Sequence, residues 1–182
     1  MPIAAQFNPL RPGGGSGDYA ADTVTRRRLP LSEFAPQDQK LGEAYAYWQS
    51  KRRDGLLPSR RDIDILDLRP LMGWTHLVDT TSSTPAEYRY RLVGTAVRIE
   101  ATQDFKDFRL GDYPSKIYRD SLLEDYGAVV FSGVPSLHHI VAVINYVSYN
   151  YTRLILPMAD DWRHVDSLMV CVNRRSPKDT PY

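Results

Sequence analysis

Three successive β-strands predicted near the C-terminus constrain the fold of this chain most strongly. β-prone segments extend approximately over residues 136–144, 147–157 and 164–173. Their two connections, Asn145-Tyr146 and Asp160-Asp161-Trp162, are short and have the composition of tight turns. Strands joined by such turns pair antiparallel, because a parallel pair needs a long crossover connection. The sequence therefore predicts a three-stranded antiparallel meander.

Two further strands are predicted in the middle of the chain. Residues 74–80 are rich in β-prone types, and residues 87–93 alternate between two faces. Tyr88, Tyr90 and Leu92 share one face of the second segment. The polar stretch between the two segments suits a hairpin loop, so we expect them to pair.

Helices are predicted between this hairpin and the meander. A short helical segment passes through Val97, Ile99 and Ala101, and a longer helix lies between Pro114 and Gly133. The order of elements is then β-β-α-α-β-β-β. It predicts an α+β fold with a five-stranded antiparallel sheet and helices on one face.

An amphipathic helix is predicted in front of this core, over residues of about 38–53. Leu41, Ala44, Tyr45 and Trp48 recur at helical spacing and form one apolar stripe. Either the main domain or a second copy of the same helix must cover this stripe. In the second case Leu41, Tyr45 and Trp48 form a homodimer interface.

The two ends of the chain are predicted to be tails. Residues 1–36 contain a segment rich in proline and glycine that has almost nothing to bury, and we expect a flexible tail there. Residues 175–182 are assigned to a short C-terminal tail. The domain proper is expected over residues 37–174.

Composition narrows the classes of function. With 23 basic and 22 acidic residues, the net charge of +1 makes nucleic acid an unlikely partner. The single cysteine, Cys171, excludes an intrachain disulfide and favours a reducing compartment, so we expect a cytoplasmic protein. The longest aliphatic run, Ile140–Ile144, is too short to span a membrane.

Several short motifs resemble one family when they are taken in order. They are Ala46-Tyr47-Trp48, Leu57-Pro58-Ser59-Arg60, Asp62-Ile63-Asp64, Tyr90-Arg91-Leu92-Val93-Gly94-Thr95, Leu154-Ile155-Leu156-Pro157-Met158 and Val165-Asp166. Together with the order of elements, they are similar to a bacterial stand-alone subfamily of the PAS domains, over residues of about 38–174.

The resemblance implies a sensory and signalling module. PAS domains hold a small molecule or a partner against the inner face of the sheet, and they transmit the state through dimerisation or protein contact. A homodimer and a downstream protein partner are therefore expected, and no enzyme activity. A ligand-free interaction module is the alternative, and an unrecognised small enzyme using a histidine is a remote one.

Candidate ligand-binding residues are aromatic or histidine side chains on the elements of the predicted sheet and long helix. They are Tyr88, Tyr90, Tyr126, His138, His139, Tyr149 and Tyr151. Ordinary core packing is the alternative role for the tyrosines. Adjacent strand residues point to opposite faces, so His138 and His139 are not expected to bind one metal ion, and no metal site is predicted.

The resemblance also bears on cofactors, although it does not identify one. Flavin-binding relatives need a reactive cysteine on the central helical segment, whereas Cys171 lies near the end of the last strand. Haem-binding relatives carry a histidine on the long helix, and residues 114–132 contain none. Flavin and haem are therefore both disfavoured.

Overall fold

A six-stranded antiparallel sheet forms the centre of the computed structural model, which describes residues 22–96, 105 and 108–175. The strands are β1 (Thr23–Leu29), β2 (Thr75–Asp79), β3 (Arg89–Val93), β4 (Ser136–Ile144), β5 (Val147–Met158) and β6 (Ser167–Arg174). Their order across the sheet is β1-β4-β5-β6-β2-β3. The predicted α+β class is confirmed.

Two α-helices accompany the sheet in the part of the chain that the structure describes. They are α1 (Gln39–Ser50) and α2 (Lys116–Ser132). Short 3-10 segments lie at Pro36–Asp38, Arg60–Asp62, Ile65–Trp74, Pro85–Glu87 and Leu110–Asp112. The helical segment predicted through Val97, Ile99 and Ala101 falls outside the described residues.

The predicted meander is present as β4, β5 and β6. Asn145 and Tyr146 connect β4 to β5 with φ angles of 50° and 64°. Positive φ at both central residues is typical of a two-residue hairpin whose twist matches that of its strands. The register places His138 opposite Arg153, and Leu154 opposite Cys171 on the next strand.

The sixth strand, β1, corrects the prediction that residues 1–36 form a flexible tail. β1 pairs with β4 along its whole length, from Thr23 beside Val143 to Leu29 beside Leu137. Val24 packs against the core, and the exposed fractions alternate along the strand. Arg26 of β1 binds two acidic groups of α2, Glu124 and Asp125.

Residue 175 corrects the other tail boundary. Arg175 is buried, donates from Nε to Thr152 Oγ1 at 2.7 Å, and binds the Asp38 carboxylate through Nη2. Asp38 also accepts from Asn173. Asp38 directly precedes the first helix, but its side chain makes no capping bond and instead fixes the end of β6.

Helices cover both faces of the sheet, since the predicted N-terminal helix packs on the face opposite to α2. Leu41, Ala44 and Trp48 of α1 are fully buried in one core cluster with Leu154 and Met169. We call this side the outer face. α2 covers the opposite, inner face, where its apolar residues pack with those of β4, β5 and β6.

The position of α1 also corrects the predicted dimer interface. Trp48 donates from Nε1 to the Pro157 carbonyl at 2.9 Å, within the same chain. Tyr45 is half-buried and stacks on Trp48, with ring centroids 6.1 Å apart. Since Leu41 and Trp48 have no exposed surface, they cannot contact a second copy while α1 stays in place. Of the two covers considered for this helix, the structure shows the main domain.

Truncating Trp48 tests this assignment. Trp48→Ala removes a fully buried indole and a buried hydrogen bond, so the free energy of unfolding should fall by about 3–5 kcal/mol. Gln49→Ala, on the exposed side of the same helix, should change it by less than about 0.5 kcal/mol. Urea denaturation measures both. If Trp48→Ala has unchanged stability and no longer self-associates, α1 is a dimer interface after all and the assignment is wrong.

Candidate functional site

A small cavity lies under the inner face of the sheet. Its volume is about 30 Å³, which is room for one or two water molecules. The lining residues are His76, Tyr90, Val93, Phe105, Tyr113, Tyr118, Tyr126, Tyr151, Arg153 and Val172. Seven of these ten side chains carry a hydroxyl, imidazole or guanidinium group, although most of the surface that they present to the cavity is apolar.

The alternation of strand residues brings these side chains together. Tyr151 and Arg153 occupy successive inner positions of β5, and His76 and Tyr90 occupy inner positions of β2 and β3. α2 closes the site from below the sheet with Tyr118 and Tyr126, which the helical period places close to one face.

Tyrosine hydroxyl groups bond to one another around the cavity. The Tyr90 and Tyr113 hydroxyls are 2.7 Å apart, and those of Tyr118 and Tyr151 are 3.1 Å apart. Burial raises the pKa of Tyr90, Tyr113 and Tyr118 well above the usual value, and that of Tyr126 to about 12. The four phenols therefore stay neutral near pH 7, and each can both donate and accept a hydrogen bond.

Arg153 is the buried cation of the site, with 2% of its surface exposed. Its Nη2 atom binds Asp125, and its Cζ atom lies 5.3 Å from the centre of the Tyr126 ring. Burial alone would lower the pKa of Arg153, but Tyr151, Tyr126 and Asp125 outweigh burial and raise it. Its Nε–H group is buried and has no hydrogen-bond partner among the described residues.

The Asp125 carboxylate on α2 is shared by two guanidinium groups. Arg153 binds Oδ2, and Arg26 of β1 donates to Oδ1 at 2.6 Å. His138 Nε2 lies 3.9 Å from Oδ1. Arg26 also donates to the exposed Glu124 at 2.7 Å. Through Asp125 the cavity is thus connected to the edge strand of the sheet.

His76 lies on β2 at the cavity wall, with 6% of its surface exposed. Its ring meets the Tyr90 ring edge-on, with centroids 5.8 Å apart. Burial, assisted by the positive charge of Arg153, lowers the pKa of His76 from 6.5 to about 4. The imidazole is therefore neutral near pH 7. Its buried Nδ1 atom makes no hydrogen bond within the part of the chain that the structure describes.

The structure places the seven predicted residues in different surroundings. Tyr90, Tyr126 and Tyr151 line the cavity. Tyr88 and Tyr149 are buried in the inner core without lining it. The two histidines point to opposite faces of β4, as their adjacency predicted. His138 faces Asp125 on the inner side, and His139 donates from Nε2 to Asn150 Oδ1 at 2.8 Å.

Sequence reasoning missed two cavity residues that each have an unsatisfied nitrogen atom, His76 and Arg153. Arg153 has the same strand parity as Tyr149 and Tyr151, so the pattern that selected those tyrosines also pointed to it. It is a lone charge in the otherwise uncharged run of β5, and such a charge is buried only when it is paired. Its partner Asp125 lies 28 positions earlier in the chain, which no local pattern shows.

Cys171 lies on the outer face, away from the cavity. It is fully buried near Thr75, with Sγ 3.6 Å from Oγ1, and burial raises its pKa to about 12. Among residues 22–96, 105 and 108–175, no three histidine, cysteine or acidic side chains are grouped as a metal ion requires. The expectation that flavin and haem are disfavoured rests on the sequence and stays a prediction.

The sequence matches the family model of the PAS domain over residues 37–172. That range covers well over half of the chain and includes both the cavity and strands β2 to β6. The chain belongs to the PAS domain family. No curated protein and no solved structure matches it significantly.

The general role of this PAS domain is that of a sensory, signalling or interaction module. The strands within the matched range are the five that the sequence predicted, and β1 is an addition that precedes the match. Within the described residues, no helix combines the length and apolar character needed to span a membrane.

The buried His76 predicts a specific loss of stability in acid. The unfolded chain takes up a proton near pH 6.5 and the folded PAS domain only near pH 4. The stabilisation by neutral His76 is therefore present above pH 6.5 and is lost between the two values. The free energy of unfolding should fall by about 2 kcal/mol between about pH 7 and about pH 5 because of this residue.

Urea denaturation of the wild type and of His76→Phe at both pH values isolates this contribution. The variant keeps an aromatic ring beside Tyr90 and has no group to protonate, so its stability should fall less, by about that amount. Gln49→Ala, at an exposed position without a titratable group, is the control and should follow the wild type. Equal acid sensitivity in the wild type and His76→Phe would show that His76 is not buried in its neutral form.

Proposed function

We propose that this PAS domain is a cytoplasmic sensor that binds a small molecule in its inner cavity and reports occupancy to another protein or a second copy of the chain. One observation carries the proposal. Two residues that line the cavity, His76 and Arg153, each have a buried nitrogen atom without a hydrogen-bond partner among the described residues. The single buried cysteine fits the reducing cytoplasm.

Unsatisfied nitrogen atoms favour a binding role over simple packing. A buried polar group without a partner costs about 1–3 kcal/mol, and nearly all such groups in proteins are satisfied. Apolar side chains at the same positions would avoid that cost. A ligand with suitable polar atoms would satisfy both groups at once, which gives His76 and Arg153 a reason to be there.

The same arrangement suits binding better than catalysis. The phenols around the cavity are weak nucleophiles because their hydroxyls stay protonated near pH 7. Arg153 stays protonated and cannot act as a base. Four neutral hydroxyls, a fixed cation and aromatic surfaces recognise a small molecule without changing it.

Occupancy of the cavity reaches the surface through Asp125. A ligand that moves the Arg153 guanidinium also moves the carboxylate to which it is bonded, and that carboxylate holds Arg26 of β1. Among the described residues β1 pairs with a strand on one side only, and the backbone of its other side is therefore available to a partner. The edge strand is therefore where the state of the cavity is read.

Filling the cavity tests the proposal. Val172→Leu adds a methylene group at the cavity wall, so native mass spectrometry of protein purified from bacteria should show a bound small molecule on the wild type and less on the variant. Met169→Leu, on the outer face of the same strand, is the matched control and should retain the bound mass. A wild type without any added mass, and without metabolite uptake on titration, would contradict the sensor.

An interaction module without a ligand is the second candidate, and Phe131 favours it. This ring, near the end of α2, is 95% exposed, and Val134 three residues later is 50% exposed. Exposed apolar side chains close together mark protein contact sites. If the domain forms a homodimer, the end of α2 is a better candidate for its interface than the covered stripe of α1.

Sedimentation analysis of Phe131→Ser tests this second candidate. If the exposed ring takes part in self-association, the variant should dissociate at a concentration about tenfold or more above that of the wild type. Tyr146→Ser removes another exposed ring, at the β4–β5 turn, and should leave association unchanged. A wild type that is monomeric at high concentration would exclude a homodimer through either surface.

A further inference from the structure

The charges around the cavity are unequal. Arg153 and Arg26 both bind the one carboxylate of Asp125, and the remaining acidic partner, Glu124, is exposed and contacts only the outer guanidinium. In solvent, Glu124 compensates Arg26 weakly, because water screens exposed pairs. Arg153 therefore keeps an excess of positive charge, because the one carboxylate that it binds is shared with a second guanidinium group.

The excess charge is accessible from the cavity through Arg153. Its Nη2 atom is used by Asp125, and its Nε–H group is unpaired among the described residues. A guanidinium group donates in a planar fork that fits the two oxygen atoms of a carboxylate. The neutral His76 and the hydroxyl groups of Tyr118 and Tyr151 supply further donors around the same space.

We infer that the cavity ligand is a small organic monocarboxylate whose carboxylate accepts a hydrogen bond from Arg153 Nε–H. The inference rests on the proposed function, in which the cavity binds a small molecule. It assigns one carboxylate oxygen of the ligand to the Arg153 Nε–H group, and the second oxygen to the hydroxyl and imidazole donors around it.

The rest of the lining limits the remainder of the ligand. Val93, Phe105 and Val172 present apolar surface, which suits a hydrocarbon part. A cavity of about 30 Å³ holds only a few heavy atoms unless the lining residues move. A phosphate monoester carries close to two negative charges at neutral pH, which is more than one guanidinium group with a shared carboxylate compensates. A monocarboxylate with a short hydrocarbon chain fits the charge, and it fits the volume once the lining side chains move apart.

Comparison of propionate with propionamide tests the ligand class without any substitution. The two probes have the same shape and size, but only propionate carries a charge. Isothermal titration of the wild-type chain should show saturable binding of propionate and at least about tenfold weaker binding of propionamide, because hydrogen bonds to charged groups are the stronger ones. Inorganic phosphate should bind more weakly than propionate.

Arg153→Gln tests the residue. The substitution keeps a donor for Asp125 and removes the charge, so propionate affinity should fall at least about tenfold and become similar to that of propionamide. Arg91→Gln is the matched control, since Arg91 forms an exposed ion pair with Asp79, and its propionate affinity should equal that of the wild type. If Arg153→Gln does not fold, the wild-type comparison of the two probes still decides.

The outcomes separate this inference from the proposed function. Equal binding of propionamide and propionate, or tighter binding of phosphate, overturns the carboxylate and leaves a cavity that binds a small molecule. Failure of all three probes also overturns the carboxylate. The sensor itself fails only if native mass spectrometry and metabolite titration show no bound molecule on the wild type.

Discussion

The structure depends on the buried contact between Arg153 and Asp125. Arg153 comes from the centre of β5 and Asp125 from α2, so the pair joins the sheet to the helix that covers its inner face. Removing one member would leave the other buried and uncompensated, which in other proteins costs about 3–5 kcal/mol. Because Arg26 shares the same carboxylate, β1 depends on the pair as well. The cavity lies beside this junction. Among the described residues, Arg153 is the only buried cation on the inner face.

Covering both faces of the sheet makes such a junction possible. β5 is buried along almost all of its length, since α1 packs on its outer side and α2 on its inner side. A doubly covered strand excludes water from any charge that it carries, so the interaction of Arg153 with Asp125 is stronger than at a surface. The outer face contains a second buried pair, Asp38 with Arg175, which secures the end of β6 over α1. Each face is thus closed by one ion pair between a helical segment and a strand.

The predictable part of the fold is the part with local signals. Asn145-Tyr146 is a turn pattern that operates over a few residues, and the predicted turn is present. The strand around Tyr90 is also present, but the prediction that Leu92 shares the face of Tyr90 was wrong, because a bulge pairs Leu92 with Leu77 and places Val93 beside Tyr90 at the cavity. β1 was not predictable in this way, because its arginines resemble a solvated run until Asp125 is placed beside Arg26. The apolar stripe of α1 predicted that another element packs on this helix, but not which one. Packing on the sheet and packing on a second copy of the helix require the same side chains.

In the candidate site, too, the residues with local sequence signals could be predicted and those defined by distant contacts could not. Tyr90, Tyr126 and Tyr151 could be selected from their positions on predicted elements, and all three line the cavity. His76 could not, because nothing in its neighbours distinguishes a cavity wall from ordinary core. The meaning of Arg153 depends on contacts with residues far away in the chain, and on one bond, at Nε, that the described part of the chain does not make.

A high-resolution crystal structure of the protein, purified without carboxylate buffers, tests the central claim most directly. If the cavity binds a ligand, we expect electron density for a small non-protein molecule within hydrogen-bond distance of Arg153 Nε. Asp125 should still bridge Arg153 and Arg26. The contradicting result is a cavity closed by the surrounding tyrosine rings, with Arg153 Nε and His76 Nδ1 both bonded to protein atoms. In that case these side chains are packing residues and the inner face has no ligand to sense.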